Sequence, residues 1–309
     1  MPRSPLNPSP YEVLGVAPTA SHDELRRAYR RMLRETHPDT GGDAARFHAV
    51  QHAWELVGTP EDRAVYDSGR PTRGEQARAT WAPAPPRRPS ESRPQARTYG
   101  HPGGLSREHY LELMREWVGR GAALPDPYDP ALVRSAPRDI RHLLANALAE
   151  EATATQAASL GIAYTVWHDV ATDAPGDPWA SKLDHVVLGP SGLFAVQSED
   201  WGAPVRVKRN EIVGEAIAPG ERPMHSLSLR AKSVARAARV KFTTLVVVVP
   251  DDAIDEALTV GRMRGLTSVV VQRSRLPGVL RGDLADAPLL GGTELFEVRT
   301  RLQASIRFT

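Results

Sequence analysis

The sequence predicts two folded parts of different class: an all-α helical hairpin over residues 8–69 and an α/β domain with a mixed sheet over 137–309. Two amphipathic helical patterns before residue 70 predict the first part, and a run of strand-like segments after residue 163 predicts the second. Between them we expect a Pro- and Arg-rich disordered linker over 70–104 and a helical connector over 105–136. A chain of 309 residues with 41% hydrophobic residues is long enough to build a core in each part.

The first predicted helix has a marked beginning, a marked end and two distinct faces. Ser21 followed by Glu24 is the pattern of a capping box, and Pro38 disfavours helical geometry at the residue before it. The apolar residues at helical spacing are Leu25, Ala28, Tyr29, Met32 and Leu33. The arginines that fill the opposite face are Arg26, Arg27, Arg30, Arg31 and Arg34. The segment is therefore an amphipathic helix with a cationic outer face.

The second helical pattern follows Gly41-Gly42 and carries its own apolar stripe. The residues of that stripe are Phe47, Val50, Trp54 and Val57. Gly58 stands directly after the stripe, and we expect this glycine to end the helix in the left-handed conformation. Two amphipathic helices joined by a short loop are expected to pack as an antiparallel hairpin.

Residues 70–104 lack the large aliphatic side chains that a packed core needs. The stretch is rich in Pro, Arg, Ser, Gly and Ala, and it includes Pro83-Ala84-Pro85-Pro86-Arg87-Arg88-Pro89. Such a composition cannot bury enough apolar surface to offset the entropy lost on ordering. We therefore expect a flexible, partly polyproline linker, whose excess arginine makes it either a solubilising tether or a weak nucleic-acid contact.

After the linker, helical patterns at about 106–118 and 137–160 precede a series of strands. The expected strands are 163–170, 183–188, 193–198, 205–208, 245–249 and 269–271. Further helices are expected at about 224–238 and 296–305. This order of strands and helices predicts a mixed sheet flanked by helices.

Overall composition excludes several classes of function. The 39 Lys and Arg residues nearly balance the 37 Asp and Glu residues, so net charge does not drive binding to nucleic acid or membrane. With no cysteine, the chain has no disulfide, no cysteine-ligated zinc and no thiol nucleophile. The longest aliphatic run, 245–249, is far short of the ~20 residues that span a bilayer, and the N-terminus lacks a signal-peptide hydrophobic segment. We expect a cytoplasmic protein with no membrane partner.

The loop between the two predicted helices contains the tripeptide His37-Pro38-Asp39. A three-residue match is weak by itself, but its context is specific. The segment Tyr11-Glu12-Val13-Leu14-Gly15-Val16 precedes the basic helix, and Arg63-Ala64-Val65-Tyr66-Asp67 follows the apolar one. Taken together, residues 10–67 closely resemble the J-domain of DnaJ-type co-chaperones, here of bacterial type. No Gly/Phe-rich segment and no cysteine-based zinc module follows.

This resemblance implies that the loop stimulates ATP hydrolysis by a DnaK-type chaperone, with His37, Pro38 and Asp39 as its signalling residues and with no cofactor required. It also implies that the basic helix docks on an acidic surface of that partner. The docking residues would be Arg26, Arg27, Arg30, Arg31 and Arg34. Independently, arginines on one face focus a positive potential that steers an anionic partner. A solvated helix face with no partner is the plainer alternative for such a charge run.

A second resemblance begins in the predicted strands. The segment 183–196 reads Leu-Asp-His-Val-Val-Leu-Gly-Pro-Ser-Gly-Leu-Phe-Ala-Val, and Trp201-Gly202 follows it. It looks like the core of the nuclease-related domain called NERD, which belongs to the PD-(D/E)xK endonuclease-like fold. The resemblance extends over about 138–280 and includes Glu150 or Glu151 at the helical glutamate of that family. It implies an α/β restriction-endonuclease-like domain with a mixed sheet.

An active member of that fold needs an aspartate at one strand end and Glu-x-Lys on the neighbouring strand. Residues two apart on a strand share a face, so these side chains meet at one metal ion and one water. Asp184 fits the first position, while Gln197 occupies the glutamate position and Glu199 the lysine position. Glutamate in place of lysine reverses the charge there, so we expect a catalytically degenerate site.

Two of the four lysines in the chain lie near this motif. Lys182 is two residues before Asp184 and projects to the same face, and Lys208 lies on the following strand. Each is either a migrated catalytic lysine or an ordinary surface lysine. Mg²⁺ is the cofactor that the resemblance implies at this site, with Glu151, Asp184 and Glu199 as candidate ligands.

The interpretation that combines both resemblances is a co-chaperone that recruits a DnaK-type chaperone to whatever the degenerate α/β domain holds. That cargo would be DNA, RNA or a protein client. In this interpretation the chain is not itself an enzyme, because the ATPase belongs to the partner. The alternative is an active divalent-metal-dependent nuclease with a migrated catalytic lysine.

Overall fold

The structure is a computed structural model, which describes residues 4–37, 43–67, 81, 94–119, 121–174, 181–284 and 289–309. The helices of the described residues are α1 (Pro10–Leu14), α2 (His22–Thr36), α3 (Ala44–Val57), α4 (Pro60–Asp67), α5 (Gly104–Val118), α6 (Pro130–Ser135), α7 (Arg138–Ala158), α8 (Pro223–Ala238), α9 (Leu276–Arg281) and α10 (Gly292–Ser305). The strands are β1 (Arg97–Tyr99), β2 (Thr165–Ala171), β3 (Lys182–Gly189), β4 (Gly192–Ser198), β5 (Arg206–Lys208), β6 (Glu211–Val213), β7 (Thr244–Val249), β8 (Leu258–Met263) and β9 (Leu266–Gln272). No helix among these residues is both long enough and apolar enough to cross a membrane.

The chain divides into two compact units. The helical unit comprises Met1–Ala82 with Leu124–Ala136, and the α/β unit comprises Pro83–Ala123 with Pro137–Thr309. The predicted order of a helical part followed by an α/β part with a mixed sheet is confirmed.

The helical unit is built on an antiparallel pair, α2 and α3, as predicted. Tyr29 in the middle of α2 stacks on Trp54 near the end of α3, with ring centroids 4.4 Å apart. The ring of His37, just after α2, packs against the ring of Phe47 near the start of α3, with the ring centroids 5.1 Å apart. The side chains buried between these helices and α1 are Tyr11, Leu14, Leu25, Val50, Ala53 and Val57. Burial of this apolar stripe stabilises the hairpin.

Both ends of α2 follow the signals in the sequence. The Ser21 amide donates to Glu24 Oε2 at 2.7 Å, and the Glu24 amide donates to Ser21 Oγ at 3.3 Å, which completes the predicted capping box. The helix ends at Thr36, and His37 takes extended backbone angles, φ −64° and ψ 127°. A residue that precedes proline favours this conformation.

The end of α3 differs from the prediction. Gly58 is not among the glycines with positive φ, so it is not a left-handed cap. A Cβ at this position would lie 2.4 Å from the Trp54 carbonyl oxygen. Close packing against the last turn of α3, rather than backbone handedness, is what requires a glycine here.

Helix α4 is joined to α1 by a polar contact that explains why the two flanking motifs occur together. The Tyr11 hydroxyl donates to Asp67 Oδ1 at 2.7 Å, and Arg63 Nε donates to the Tyr11 hydroxyl oxygen at 3.1 Å. Burial, reinforced by Asp67, raises the pKa of Tyr11 to about 12. The first and last motifs of the helical unit therefore stabilise each other.

The structure divides the middle of the chain differently from the predicted segments. Of the linker predicted over 70–104, residues 97–99 form β1 and α5 begins at Gly104, while residues 70–80 and 82–93 lie outside the described residues. The connector predicted over 105–136 is not one piece, because α5 belongs to the α/β unit and α6 to the helical unit. In the helical unit the Arg134 guanidinium lies 5.0 Å from the Tyr66 ring centroid.

The α/β unit contains a seven-stranded mixed sheet in the order β1-β2-β3-β4-β7-β9-β8 and a separate β5–β6 hairpin. Pairs β1–β2, β4–β7 and β7–β9 are parallel, and the other neighbours are antiparallel. The six predicted strands are present, whereas β1, β6 and β8 were not predicted. Helices α8 and α10 cover one face and α7 and α9 the other, each over its own apolar cluster. Because both faces are covered, β3, β4 and β7 are buried along their whole length.

Candidate functional site

The outer face of α2 presents a dense positive charge. Its five arginines are all exposed, whereas Leu25 and Ala28 on the opposite face are buried. The Arg31–Glu35 pair on this face, at 3.9 Å, is solvent-exposed and therefore weak. We call Arg26, Arg27, Arg30, Arg31 and Arg34 the arginine face.

His37, the first residue of the predicted signalling loop, directly follows α2, the helix that carries the arginine face. His37 is partly buried, and its ring meets Phe47 edge to face, with 80° between the ring planes. Pro38 and Asp39 lie outside the described residues. His37 therefore directly follows the helix that carries the arginine face, and its ring packs against α3.

The second predicted site is buried and centres on Lys182. Its ammonium lies 2.5 Å from Glu150 Oε2 and 3.5 Å from Asp184 Oδ1, and it also donates to Asp169 Oδ1. These four side chains, here called the Lys182 cluster, are each no more than 5% exposed. An ammonium has three N–H donors, which matches its three carboxylate neighbours. The interpretation of Lys182 as an ordinary surface lysine is wrong.

The first turn of α5 closes over this cluster. The Gly103 amide donates to Glu150 Oε2 at 3.1 Å, and Ser106 Oγ donates to Glu150 Oε1 at 2.7 Å. The Leu105 amide donates to Asp169 Oδ2 at 3.2 Å. A helix N-terminus carries unpaired amides and a partial positive charge, so it stabilises carboxylates. Part of the predicted linker and connector therefore forms the lid of this site.

The other predicted site residues divide between the interior and the surface. Asp184 Oδ2 accepts from the Ser198 amide at 2.7 Å, and Gln197 Nε2 donates to Glu199 Oε1 at 2.8 Å. Gln197 is buried on β4, and Glu199, which is partly buried, follows the last residue of that strand and lies within reach of the Asp184 charge. Lys208 is exposed on β5, in the separate hairpin, and forms no part of the cluster.

Of the two glutamates considered at the helical position, only Glu150 enters the cluster. Glu151 forms a two-pronged ion pair with Arg107, in which the NH2 group donates to Oε2 at 2.9 Å. Adjacent residues on a helix point about 100° apart, so one helix cannot direct both carboxylates to one point. The structure therefore assigns Glu151, a predicted metal ligand, to an ion pair with α5.

Burial of so many acidic groups shifts their ionisation. Burial, with the Asp184 charge, raises the pKa of Glu150 to about 8 and that of Glu199 to about 8, and burial also raises the pKa of Asp184. For Lys182, burial alone would lower the pKa, but the surrounding carboxylates outweigh it and raise the pKa above its ordinary value. The cluster therefore favours a charged lysine and retains protons on some of its acids.

A pair of histidines extends the polar interior next to the cluster. The Nδ1 atoms of His168 and His185 are 2.8 Å apart, and His185 Nε2 lies 3.2 Å from Ser198 Oγ. Ser198 Oγ in turn donates to Thr153 Oγ1 at 2.9 Å. Burial lowers the pKa of His168 to about 4 and that of His185 well below its ordinary value, so both are neutral at pH 7.

These residues do not fit Mg²⁺ in their present arrangement. The Lys182 ammonium occupies the centre of the carboxylates, and Asp184 uses its other oxygen for the Ser198 amide. Magnesium requires near-octahedral oxygen ligands at about 2.0–2.1 Å. In the described part of the chain, no group of three or more acidic or histidine side chains is arranged to hold a metal ion.

Asp169 is the member of this cluster that the sequence analysis missed. It lies within β2 with a left-handed φ of 50°, between the register pairs His168–His185 and Val170–Leu183. Aspartate tolerates this conformation better than most residues. The signal that was available is an acidic residue inside a predicted strand with large apolar side chains on either side of it.

Comparison with known proteins places the N-terminal segment in a family. Residues 9–67 match the family described as the DnaJ domain. Over 58 residues the chain is 55% identical to Chaperone protein DnaJ of Tropheryma whipplei (strain Twist), which covers 18% of this chain and 17% of that protein. Over 67 residues it is 49% identical to Chaperone protein dnaJ A6 of Oryza sativa subsp. japonica, which covers 22% of this chain and 16% of that protein.

The similarity is therefore to a segment and not to whole proteins. The chain spans less than a fifth of the length of these curated relatives. They come from a plant as well as from a bacterium, so the similarity does not assign the chain to bacteria alone. The N-terminal segment is a J-domain, and the large mixed sheet follows after the end of that match at residue 67.

Proposed function

We propose that this chain is a cytoplasmic co-chaperone whose J-domain binds a DnaK-type chaperone and stimulates its ATP hydrolysis. The observation that carries this proposal is the arginine face of α2, with His37 directly after that helix, inside the segment that matches the DnaJ domain. Five exposed guanidiniums on one helix face favour an acidic partner surface.

The geometry suggests a division of work within the J-domain. The arginine face provides orientation and a fast encounter, because long-range attraction acts mainly on the association rate. His37, with Pro38 and Asp39, then delivers the signal at the end of the docked helix. Packing of His37 on Phe47 keeps that end in a fixed relation to the hairpin.

We propose in addition that the α/β unit is a NERD-like domain with a degenerate catalytic site, which acts as an adaptor for nucleic acid or a protein client. Two features support a loss of catalysis. Glu199 stands where a lysine would stabilise charge on the reacting phosphate, and α5 covers the Lys182 cluster. A buried cluster that no substrate reaches stabilises the fold without contributing to chemistry.

Single-turnover ATP hydrolysis by a DnaK-type chaperone tests the co-chaperone role. We expect the full-length wild-type chain to accelerate the hydrolysis step and His37→Gln to abolish the acceleration. Because His37 is only partly buried, the variant is expected to retain the fold, which its helical circular dichroism checks. Equal stimulation by both proteins would refute the proposal.

A cleavage assay tests the degenerate site against the alternative of an active nuclease. We expect full-length protein with Mg²⁺ or Mn²⁺ to cleave plasmid and single-stranded DNA no faster than an Asp184→Ala control does. Loss of one electrostatic contributor of this kind costs ~10²–10³ in rate. Metal-dependent cleavage by the wild type that is lost in Lys208→Ala, or in a Lys182→Ala variant that still unfolds cooperatively in urea, would instead establish a nuclease with a migrated lysine.

A further inference from the structure

One edge of the large sheet carries an exposed surface rich in arginine and aromatic side chains. It is formed by the edge strand β1 and by one flank of α10. We call it the β1–α10 surface, and its residues are Arg97, Tyr99, Phe296, Arg299 and Gln303. It lies entirely within the α/β unit and shares no residue with the Lys182 cluster.

Two arginines of this surface, Arg97 and Arg299, are close enough for their charges to interact. Arg299 Nε donates to Thr165 Oγ1 at 3.1 Å, and Thr165 is the register partner of Arg97 in the parallel β1–β2 pair. Within the described residues, neither guanidinium forms an ion pair with an acidic side chain. Burial and the nearby Arg97 charge both lower the pKa of Arg299, as expected for adjacent like charges. An anion bound between them would relieve this repulsion.

The same surface presents two aromatic rings. Tyr99 is 40% exposed, stacks on Trp167 with centroids 6.0 Å apart, and accepts a hydrogen bond on its hydroxyl from Gln303 Nε2 at 3.3 Å. Phe296, one turn before Arg299 on α10, is 64% exposed. A ring as exposed as that of Phe296 gains little from the core of its own domain. Both rings therefore offer apolar area beside the two guanidiniums.

Glu297 of α10 does not neutralise this surface. Phe296, Arg299 and Gln303 follow the helical spacing of one flank. Glu297 is turned about 100° away from Phe296, and it pairs with Arg301 at 3.1 Å. One flank of α10 thus carries Phe296 and Arg299, with no ion pair to Arg299 among the described residues. The other flank carries the Glu297–Arg301 ion pair.

We propose that the β1–α10 surface binds single-stranded nucleic acid, with backbone phosphates on Arg97 and Arg299 and bases stacked on Phe296 and Tyr99. Guanidinium groups suit phosphate oxygens because their fork of donors matches two acceptors at once. Exposed rings beside cations are the arrangement by which proteins bind single strands without sequence preference. An acidic peptide would use the arginines but would leave the rings without a partner. Single-stranded nucleic acid would then be the ligand that the α/β unit holds as an adaptor, and this role rests on the function proposed above.

The probe is a fluorescently labelled oligothymidylate, titrated with the full-length chain and followed by anisotropy at several salt concentrations. We expect Arg97→Gln combined with Arg299→Gln to weaken binding at least tenfold. The slope of log affinity against log salt should become shallower by about 1.4, because each phosphate contact on a single strand contributes about 0.7. Phe296→Ala should weaken binding roughly fivefold or more through the lost stacking.

Arg301→Gln is the matched control, because it removes one positive charge from the other flank of the same helix. It should change the affinity less than twofold. No binding by the wild type, or equal weakening by Arg301→Gln and by the double variant, overturns the inference. Displacement of the probe by polyglutamate as effectively as by unlabelled oligothymidylate also overturns it and indicates an acidic peptide. Because these titrations contain no chaperone, their failure is distinct from failure of the ATPase test.

Discussion

The arginine face of α2 and the Lys182 cluster use positive charge in opposite ways. The five arginines are exposed, so their positive potential extends outward from the protein surface. Lys182 is buried among three carboxylates, so its field is used inside the fold. The environment of a cation, more than its presence in the sequence, therefore decides whether its charge is available at the surface or is used inside the fold.

The largest expected effect is on stability, at the buried cation. Lys182→Met should lower the free energy of unfolding of the α/β unit by ~3–5 kcal/mol, because it leaves buried carboxylates without a countercharge. Lys208→Met, which changes an exposed lysine, should stay within about 0.5 kcal/mol of the wild type. Urea unfolding followed by tryptophan fluorescence measures both. Equal stability of the two variants would show that the cluster does not stabilise the unit.

At the exposed arginines of α2 the expected effect is on the rate of association with a DnaK-type chaperone. Arg30→Glu combined with Arg31→Glu should slow association with a DnaK-type chaperone by about tenfold and flatten its salt dependence, since it removes attraction that is screened over ~8–10 Å at physiological ionic strength. The urea midpoint of the helical unit should hardly move, because both side chains are exposed. Stopped-flow mixing measures the rate. An unchanged association rate would show that the arginine face is an ordinary solvated helix surface with no role in binding.

The dependence of stability on pH should have opposite sign at a partly buried and an exposed glutamate. Burial and Asp184 raise the pKa of Glu199 to about 8, so the folded state holds a proton that the unfolded state releases above pH 4.5. Its contribution to stability is complete below pH 4.5 and is lost as pH rises to about 8. Glu199→Gln should therefore become more stable relative to the wild type as pH rises through this range. A constant difference would contradict the assignment.

Glu24 in the capping box provides the opposite case. Hydrogen bonds with Ser21, from the backbone amide first and then the side chain, lower the pKa of Glu24 below its ordinary value. Its contribution is present above pH 4.5 and is lost as the pH falls further. The destabilisation caused by Glu24→Gln should therefore shrink on acidification. Urea midpoints of the helical unit across this range measure it, and a difference that grows in acid would contradict the account.

The smallest expected effect is at the start of the arginine face. Ser21→Ala removes the side chain that accepts from the Glu24 amide, so it should cost ~1 kcal/mol of stability in the helical unit. Ser21→Asp, which retains an acceptor, serves as the matched variant and should recover most of the loss. Thermal unfolding followed at a helical wavelength measures both. An alanine variant as stable as the aspartate variant would show that the cap does not matter.

Where local signals decide, the sequence was sufficient to predict the structure. The ends of α2 were predicted from Ser21, Glu24 and Pro38, because capping and proline sterics act within a few residues. Aliphatic runs such as β7 were predicted because only a covered sheet accepts them. The exposed arginine face followed from helical spacing alone.

Contacts between distant segments were the part that could not be predicted. Strand β1 has three exposed residues, and its pairing with β2 depends on chain closure over more than sixty residues. The burial of Lys182 depends on Glu150 in α7, Asp169 in β2 and the first turn of α5, none of which is close to it in sequence. The alternation of side chains along a strand predicted that Lys182 and Asp184 share a face. It could not predict that the first turn of α5 covers that face.

The central claim is that the exposed cations recruit and the buried cation only stabilises. Single-turnover ATP hydrolysis by a DnaK-type chaperone tests it most directly. The full-length wild type, the Arg30→Glu/Arg31→Glu variant and Lys182→Met are compared at a temperature at which all three proteins are folded. The account predicts that Lys182→Met stimulates hydrolysis as well as the wild type does, while the double arginine variant needs about tenfold more protein for the same stimulation. Full stimulation by the arginine variant, or its loss in a folded Lys182→Met, would contradict the account.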